Sequence, residues 1–394
     1  MMKKTCIKNA DVVIPGEILK NKYLLIKNGK IADICNNPVS ADDVIDAGGK
    51  YILPGFVDIH VHGGGGSDFM DGSEEAFCNS VKAHLKHGTT TLLPTAMTAS
   101  EKDLLCFLKC YKDFKNNSSL SCITPGVHLE GPYFSGANSK SSGAQPSNLL
   151  RLPDENEIDE ILNFANGDII RWDAAPELDG IEMFADKMKK NGILFSIAHS
   201  AATSEEAQNG IDIGFSHVTH FYNAVTTYRK EGQRVLAGVV EAAYLNDNVC
   251  VELICDGRHI PRDILRLAVK IKGIDKVMAI TDAMRIAGTD IKCGKLGSIE
   301  NGTDVIVDDG VAKLPDLSSY AGSIATMDRC LKVLCLNYGF SLTDASVMLS
   351  KTPANYIGIG ETKGSIEIGK DADILMVDKG LNVETVMLHG NIIY

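Results

Sequence analysis

The stretch PGFVDIHVHGGGG, residues 54–66, decides how the chain folds. Phe56, Val57 and Ile59 are apolar and β-favouring, and His60 and His62 follow with one residue between them. Side chains two apart on a strand point to one face, so both imidazoles reach a single point. Four glycines then leave open space beside it. Such His-x-His pairs also arise on exposed strands without function. This one ends an apolar strand and runs into glycine instead of polar turn residues. Neutral imidazole is the commonest metal ligand, so the pair predicts a metal site, and the rest of the chain is expected to supply further ligands.

Seven more short apolar β-runs follow: TTTLLPTAM (89–97), TPGVHLEGP (124–132), IIRWDAAPE (169–177), GILFSIAHS (192–200), HVTHFYNA (217–224), VCVELICDG (249–257) and KVMAITDAM (276–284). Amphipathic segments such as SEEAFCNSVKAHLKHG (73–88) and IPRDILRLAVKIKG (260–273) lie between them, apolar at helical spacing. Parallel strands need crossovers of this kind. Eight strands alternating with helices predict an α/β fold, a (β/α)8 TIM-type barrel.

Most of the runs end in a group able to bind a metal or move a proton: His60 and His62, Glu130, His199, His220 and Asp282. Barrel sites are built at the C-terminal ends of the strands, so these residues are expected on one rim although more than 200 positions separate the first from the last. A single catalytic zinc needs about three protein ligands and an open position, and this set offers more. Glu130 is read as shared between two ions, with His60 and His62 holding one and His199 and His220 the other. A metal-bound water has its pKa lowered to about 7. Asp282 is read as the carboxylate that accepts its proton and passes it on. His128, two residues before Glu130, competes as a ligand. Of His217 and His220, the one nearer the strand end is favoured. His84, His87 and His389 carry no assigned role.

The ends of the chain have another texture. Residues 1–53 and 355–394 read as short strands and turns, with Asn28-Gly29 between two apolar runs as a hairpin signal. Neither piece is long enough to fold alone. The expected organisation is a small β-sandwich domain formed by both termini, 1–53 and 355–394, around a barrel spanning 54–354. GKLGSIENGTDVIVDDGVAKL (294–314) reads as a small hairpin insertion, followed by two helices.

The 394 residues are 44% hydrophobic and 23% charged, as expected of a globular protein, with a formal net charge of −12. That acidity argues against nucleic acid or an anionic membrane as partner. Eleven cysteines without a C-x-x-C spacing suit a reducing cytosol. The absence of an apolar leader or a membrane-length run leads to the expectation of a cytoplasmic enzyme.

In order along the chain, PGFVDIHVHGGGG, HLEGPYF, GAQP, IAHS, THFYNA, CDGRH, ITDAM, AGSIATM and GSIEIGKDADILMVD resemble the N-acetylglucosamine-6-phosphate deacetylase family of the amidohydrolase superfamily over nearly the whole length. The resemblance implies metal-dependent hydrolysis of the acetamide of N-acetylglucosamine-6-phosphate, giving glucosamine-6-phosphate and acetate. It implies Glu130, His199 and His220 as constant metal ligands and Asp282 as catalytic acid/base. His60 and His62 match a pair that holds a second ion in some members, so one or two divalent ions are expected per chain. Histidine and carboxylate donors suit zinc, iron, cobalt or manganese alike. By the same resemblance His259 contacts substrate, Asn223 and Ala224 lie near phosphate, and Ala321, Gly322 and Ser323 surround the acetyl group. Gln145 stands where many members have histidine.

The family usually has an Arg-Glu-Pro-Gly run after YNA, whose arginine reaches phosphate, often across a homodimer interface. This chain has TTYRKEGQRVLAG, with Arg229 and Arg234 straddling that place. Arg234 is favoured, because it precedes VLAG. The alternative substrates are N-acetylgalactosamine-6-phosphate and an unphosphorylated N-acetyl amino sugar. A non-catalytic relative would be expected to have lost ligands or the carboxylate, and none is lost here.

Overall fold

The structure is a computed structural model that describes residues 4–136 and 139–394. The eight apolar runs form eight strands: β1 (Phe56–Val61), β2 (Thr89–Ala96), β3 (Val127–Glu130), β4 (Ile169–Ala174), β5 (Leu194–Ile197), β6 (His217–Val218), β7 (Cys250–Ile254) and β8 (Val277–Ile280). They hydrogen-bond in sequence order. Trp172 on β4, for example, lies opposite Leu129 on one side and Phe195 on the other. The ring closes where Asp282 N–H donates to His60 O at 3.0 Å and His62 N–H to Ala283 O at 2.8 Å. This is the expected (β/α)8 barrel.

Helices fill the connections, and their sequences explain them. In the helix Glu101–Asn117, the Ser100 side chain caps the N–H of Asp103, while Leu104, Phe107, Leu108, Tyr111 and Phe114 form one buried face. No helix among the described residues is long and apolar enough to cross a membrane. None of the eleven cysteines forms a disulfide.

The chain divides into two compact units. The first comprises Met1–Asp58, His84–Thr91 and Thr326–Tyr394. Strands from both ends of the chain join one eight-stranded sheet here, because Ile374–Val377 pairs antiparallel with Tyr51–Pro54. Ile7, Leu24, Ile52, Ile374 and Met387 share its apolar core. The Asn28-Gly29 hairpin forms with Lys27 opposite Lys30, both turn residues having positive φ. The two helices expected after the insertion run over 327–337 and 342–356 in this unit.

The second unit, Ile59–Ala83 and Leu92–Ala325, holds the strand ends that matter for function. The insertion is a three-stranded sheet of Cys293–Leu296, Thr303–Asp308 and Val311–Lys313. Its Leu296, Val305 and Ala312 pack with Met97, Met284 and Ala321. A second hairpin, Arg229–Glu231 with Arg234–Leu236, carries both arginines on an exposed arm.

Candidate active site

Three site residues sit where a strand stops. His199, His220 and Asp282 have φ of 44°, 29° and 47°, in the left-handed region that costs a non-glycine residue about 1–2 kcal/mol. The turn ends extended pairing and swings each side chain across the barrel mouth. Around His220 the distortion continues through Tyr222 and Ala224, also at positive φ, which is why β6 is only two residues long. Strain of this kind gathers at functional sites because the surrounding packing has to hold it.

The side chains converge as two sets. Glu130 Oε1 lies 3.1 Å from His199 Nε2 and 3.0 Å from His220 Nε2, and those two nitrogens are 3.1 Å apart. His60 Nε2 and His62 Nε2 are 3.2 Å apart, with Asp282 Oδ1 at 3.5 and 3.3 Å. Glu130 lies between the sets, its Oε2 3.3 Å from His62 Nε2. Asp282 thus joins the His60–His62 set within ligand distance, in addition to the proton-transfer role read from the sequence. His128, the competing ligand, turns away: its Nε2 is 2.9 Å from Asp173 and its Nδ1 3.2 Å from Thr95 Oγ1.

Tautomers show what the sets are built for. His199 Nδ1 faces Ser141 O at 2.9 Å, His220 Nδ1 faces Asn223 O at 3.0 Å, and His60 Nδ1 faces Glu252 Oε1 at 2.9 Å. Each partner only accepts, so each Nδ1 carries the proton and each Nε2 presents a lone pair. These three lone pairs and the oxygens of Glu130 and Asp282 then face one another, an arrangement that fits a divalent cation. In the metal-free protein protons must serve instead. Burial lowers the His220 imidazole, but hydrogen bonding to Glu130 and its charge push it up to about 9. Burial alone would raise Glu130, yet the charge of His60 and hydrogen bonds from His199, His220 and His62 hold it well below the usual carboxylate range. Burial likewise opposes ionisation of Asp282, and His60 and His62 keep its pKa low.

The sets open into a cavity lined by His62, Glu130, Gln145, His199, His220, Asn223, Ala224, His259, Asp282, Tyr320 and Gly322, among others. Gln145 bridges the floor, donating to Glu130 Oε2 at 2.8 Å and accepting from the Thr98 N–H. His259 is held by Asp256 through both its Nδ1 and its backbone N–H, at 2.9 Å each, which leaves Nε2 for the cavity. Asn223 Nδ2 is buried without a hydrogen-bond partner among the described residues. Of the 321–323 trio only Gly322 lines the cavity. Ala321 is packed in the core, and the Ser323 hydroxyl donates to Thr281 O at 2.5 Å. Neither Arg229 nor Arg234 reaches the cavity within one chain: Arg229 pairs with Glu231 at 3.1 Å and Arg234 is exposed.

Sequence reasoning passed over Asp256, Tyr320, Glu252 and Arg171. The last two are charges inside the apolar runs VCVELICDG and IIRWDAAPE, and that interruption was the available signal. Tyr320 packs against His259 at a tilt, with ring centroids 4.8 Å and planes 56° apart, and no local pattern announces it.

The amidohydrolase family model matches residues 51–393. The chain is 31% identical to the N-acetylglucosamine-6-phosphate deacetylase of Bacillus subtilis (strain 168), across 100% of this chain and 98% of that protein. It is 28% identical to the N-acetylgalactosamine-6-phosphate deacetylase of Escherichia coli O157:H7, across 95% of each. Among solved structures, the N-acetylglucosamine-6-phosphate deacetylase of Pasteurella multocida superposes with a TM-score of 0.90 at 28% identity, covering 99% of both chains.

Proposed function

The chain belongs to the amidohydrolase family, and from that premise we propose that it hydrolyses the acetamide of N-acetylglucosamine-6-phosphate to glucosamine-6-phosphate and acetate. The observation that carries this reading is the convergence of two acceptor sets on one cavity that also presents Asp282 and His259. Glu130, His199 and His220 would hold one divalent ion, and His60, His62 and Asp282 a second, with Glu130 within reach of both. Bound there, such ions supply Lewis acidity and lower the pKa of water, so that a nucleophile exists near neutral pH.

The chain's own residues do the rest. His259, its Nδ1–H committed to Asp256, presents Nε2 to the acetyl carbonyl and orients it. Asp282 takes the proton of the attacking water and delivers it to the departing nitrogen as the carbon–nitrogen bond breaks. The unpartnered amide of Asn223 is a donor for the sugar phosphate. Among the described residues the cavity lining carries no Arg or Lys, and the exposed hairpin of Arg229 and Arg234 on a second copy of the chain is the assigned source of the phosphate's counter-charge.

Release of acetate and free amine from a panel of N-acetyl sugars tests the assignment. N-Acetylglucosamine-6-phosphate is expected to give the highest kcat/KM. The similarity to a galactosamine-6-phosphate enzyme makes that epimer the second reading, and a higher kcat/KM for it would replace the first. Equal values with and without phosphate would overturn phosphate recognition.

A further inference from the structure

Strand β7 places a carboxylate where a barrel interior ordinarily holds an aliphatic side chain. Glu252 is fully buried. Its Oε1 accepts the His60 Nδ1–H at 2.9 Å and the backbone N–H of His220 at 3.1 Å. Arg171, also fully buried, grips Glu252 at 2.7 Å and 3.1 Å through Nη1 and Nη2. The same guanidinium donates to both oxygens of Asp173, to Ser196 Oγ at 2.9 Å and to Thr219 Oγ1 at 2.5 Å. One arginine therefore fixes Glu252 against β4, β5 and the segment after β6.

Charge balance alone does not call for Glu252, because Asp173 already gives Arg171 a two-pronged counter-ion. What Glu252 adds is its contact with His60. The other imidazole of that set has no equivalent support: His62 Nδ1 is buried with no hydrogen-bond partner among the described residues. In the second set, His199 and His220 are oriented by backbone carbonyls instead. We propose that Glu252, anchored by Arg171, is the positioning residue that makes the His60–His62 position a metal site, by holding the His60 proton on Nδ1 and its Nε2 lone pair toward His62 and Asp282. This rests on the two-ion reading above.

The test is a titration of chelator-stripped protein with Co(II), followed by visible absorption and by elemental analysis. The unaltered chain is expected to take up two equivalents. In Glu252→Gln the amide cannot both accept from His60 and avoid the Arg171 donors, so the second equivalent binds about 10–100-fold more weakly, the usual cost of losing an outer-shell partner. The ion at Glu130, His199 and His220 changes only a few-fold. Glu252→Asp keeps the charge facing Arg171 but withdraws it from His60, so it shows the same selective loss and decides the question if the Gln variant does not fold. A purely structural role would lower thermal stability while leaving both equivalents and the cobalt spectrum as in the unaltered chain, and that result overturns the inference alone. A single equivalent in the unaltered chain overturns the two-ion reading and the inference together.

Discussion

Asp282 is the residue proposed to move the proton, and its surroundings define what its loss should do. Its Oδ1 lies within 3.5 Å of both His60 and His62 Nε2 atoms. Asn at this position keeps an oxygen there but can no longer accept and return a proton. Asp282→Asn is expected to lower kcat at least ~10²-fold, as for lost acid–base catalysis, with KM changed far less. Steady-state kinetics on protein of verified metal content checks this, and near-normal turnover would move the role to His259. The residues of this kind were legible in the sequence because each ends an apolar run, and strand ends share a rim in a barrel. Gln145, Asn223 and His259 came from resemblance alone. Glu252 and Arg171 showed only as charges interrupting apolar runs, because the partners that give a buried charge its role lie on other strands.

At the scale of elements, the barrel strands and terminal hairpins followed from apolar periodicity and Asn-Gly turns. The arm carrying Arg229 and Arg234 did not, since its strands have only three residues each. Its turn needs Gly232, whose φ is +62°, and Glu231 pairs opposite Arg234. The geometry separates the two arginines. Glu231 lies 3.1 Å from Arg229 Nε and competes with any phosphate there. No ion pair engages exposed Arg234 among the described residues. A planar guanidinium suits phosphate through paired hydrogen bonds, and contacts remote from the reacting bond lower the barrier when they fix its position. Arg234→Ala should therefore reduce kcat/KM for N-acetylglucosamine-6-phosphate at least ~10-fold, the scale of one charge-assisted contact, and leave N-acetylglucosamine untouched. An equal fall for both sugars would show that the arm serves the fold and not the phosphate.

The whole molecule carries an unusual interior, a barrel centre with Arg171, Asp173, Glu252, His128 and His217 all fully buried, and this shapes its response to pH. Burial and the charge of Arg171 lower the His128 imidazole to about 4 and His217 to about 3, whereas an unfolded chain protonates histidine near pH ~6.5. Between pH 6.5 and 4 the unfolded state binds more protons at these two positions, so stability falls as pH falls. Asp68, raised by burial to about 6, offsets one of the two. Above pH ~6.5 the direction reverses in the metal-free protein. Despite burial, Glu130 holds the His220 proton up to about 9, so the stability it contributes is complete below the unfolded value and lost as pH rises through 9. His62, raised by Asp282 and Glu130 against its own burial, acts in the same direction. The chelated protein should thus be most stable near neutrality, with its urea midpoint falling on both sides. Metal requires deprotonated imidazoles, so loading should abolish the alkaline fall and keep the acid one. His217→Asn removes one of the two histidines behind the acid limb and should flatten it. An acid slope unchanged in that variant would refute the buried-histidine account, and an alkaline fall equally steep with metal bound would refute the account of His62 and His220.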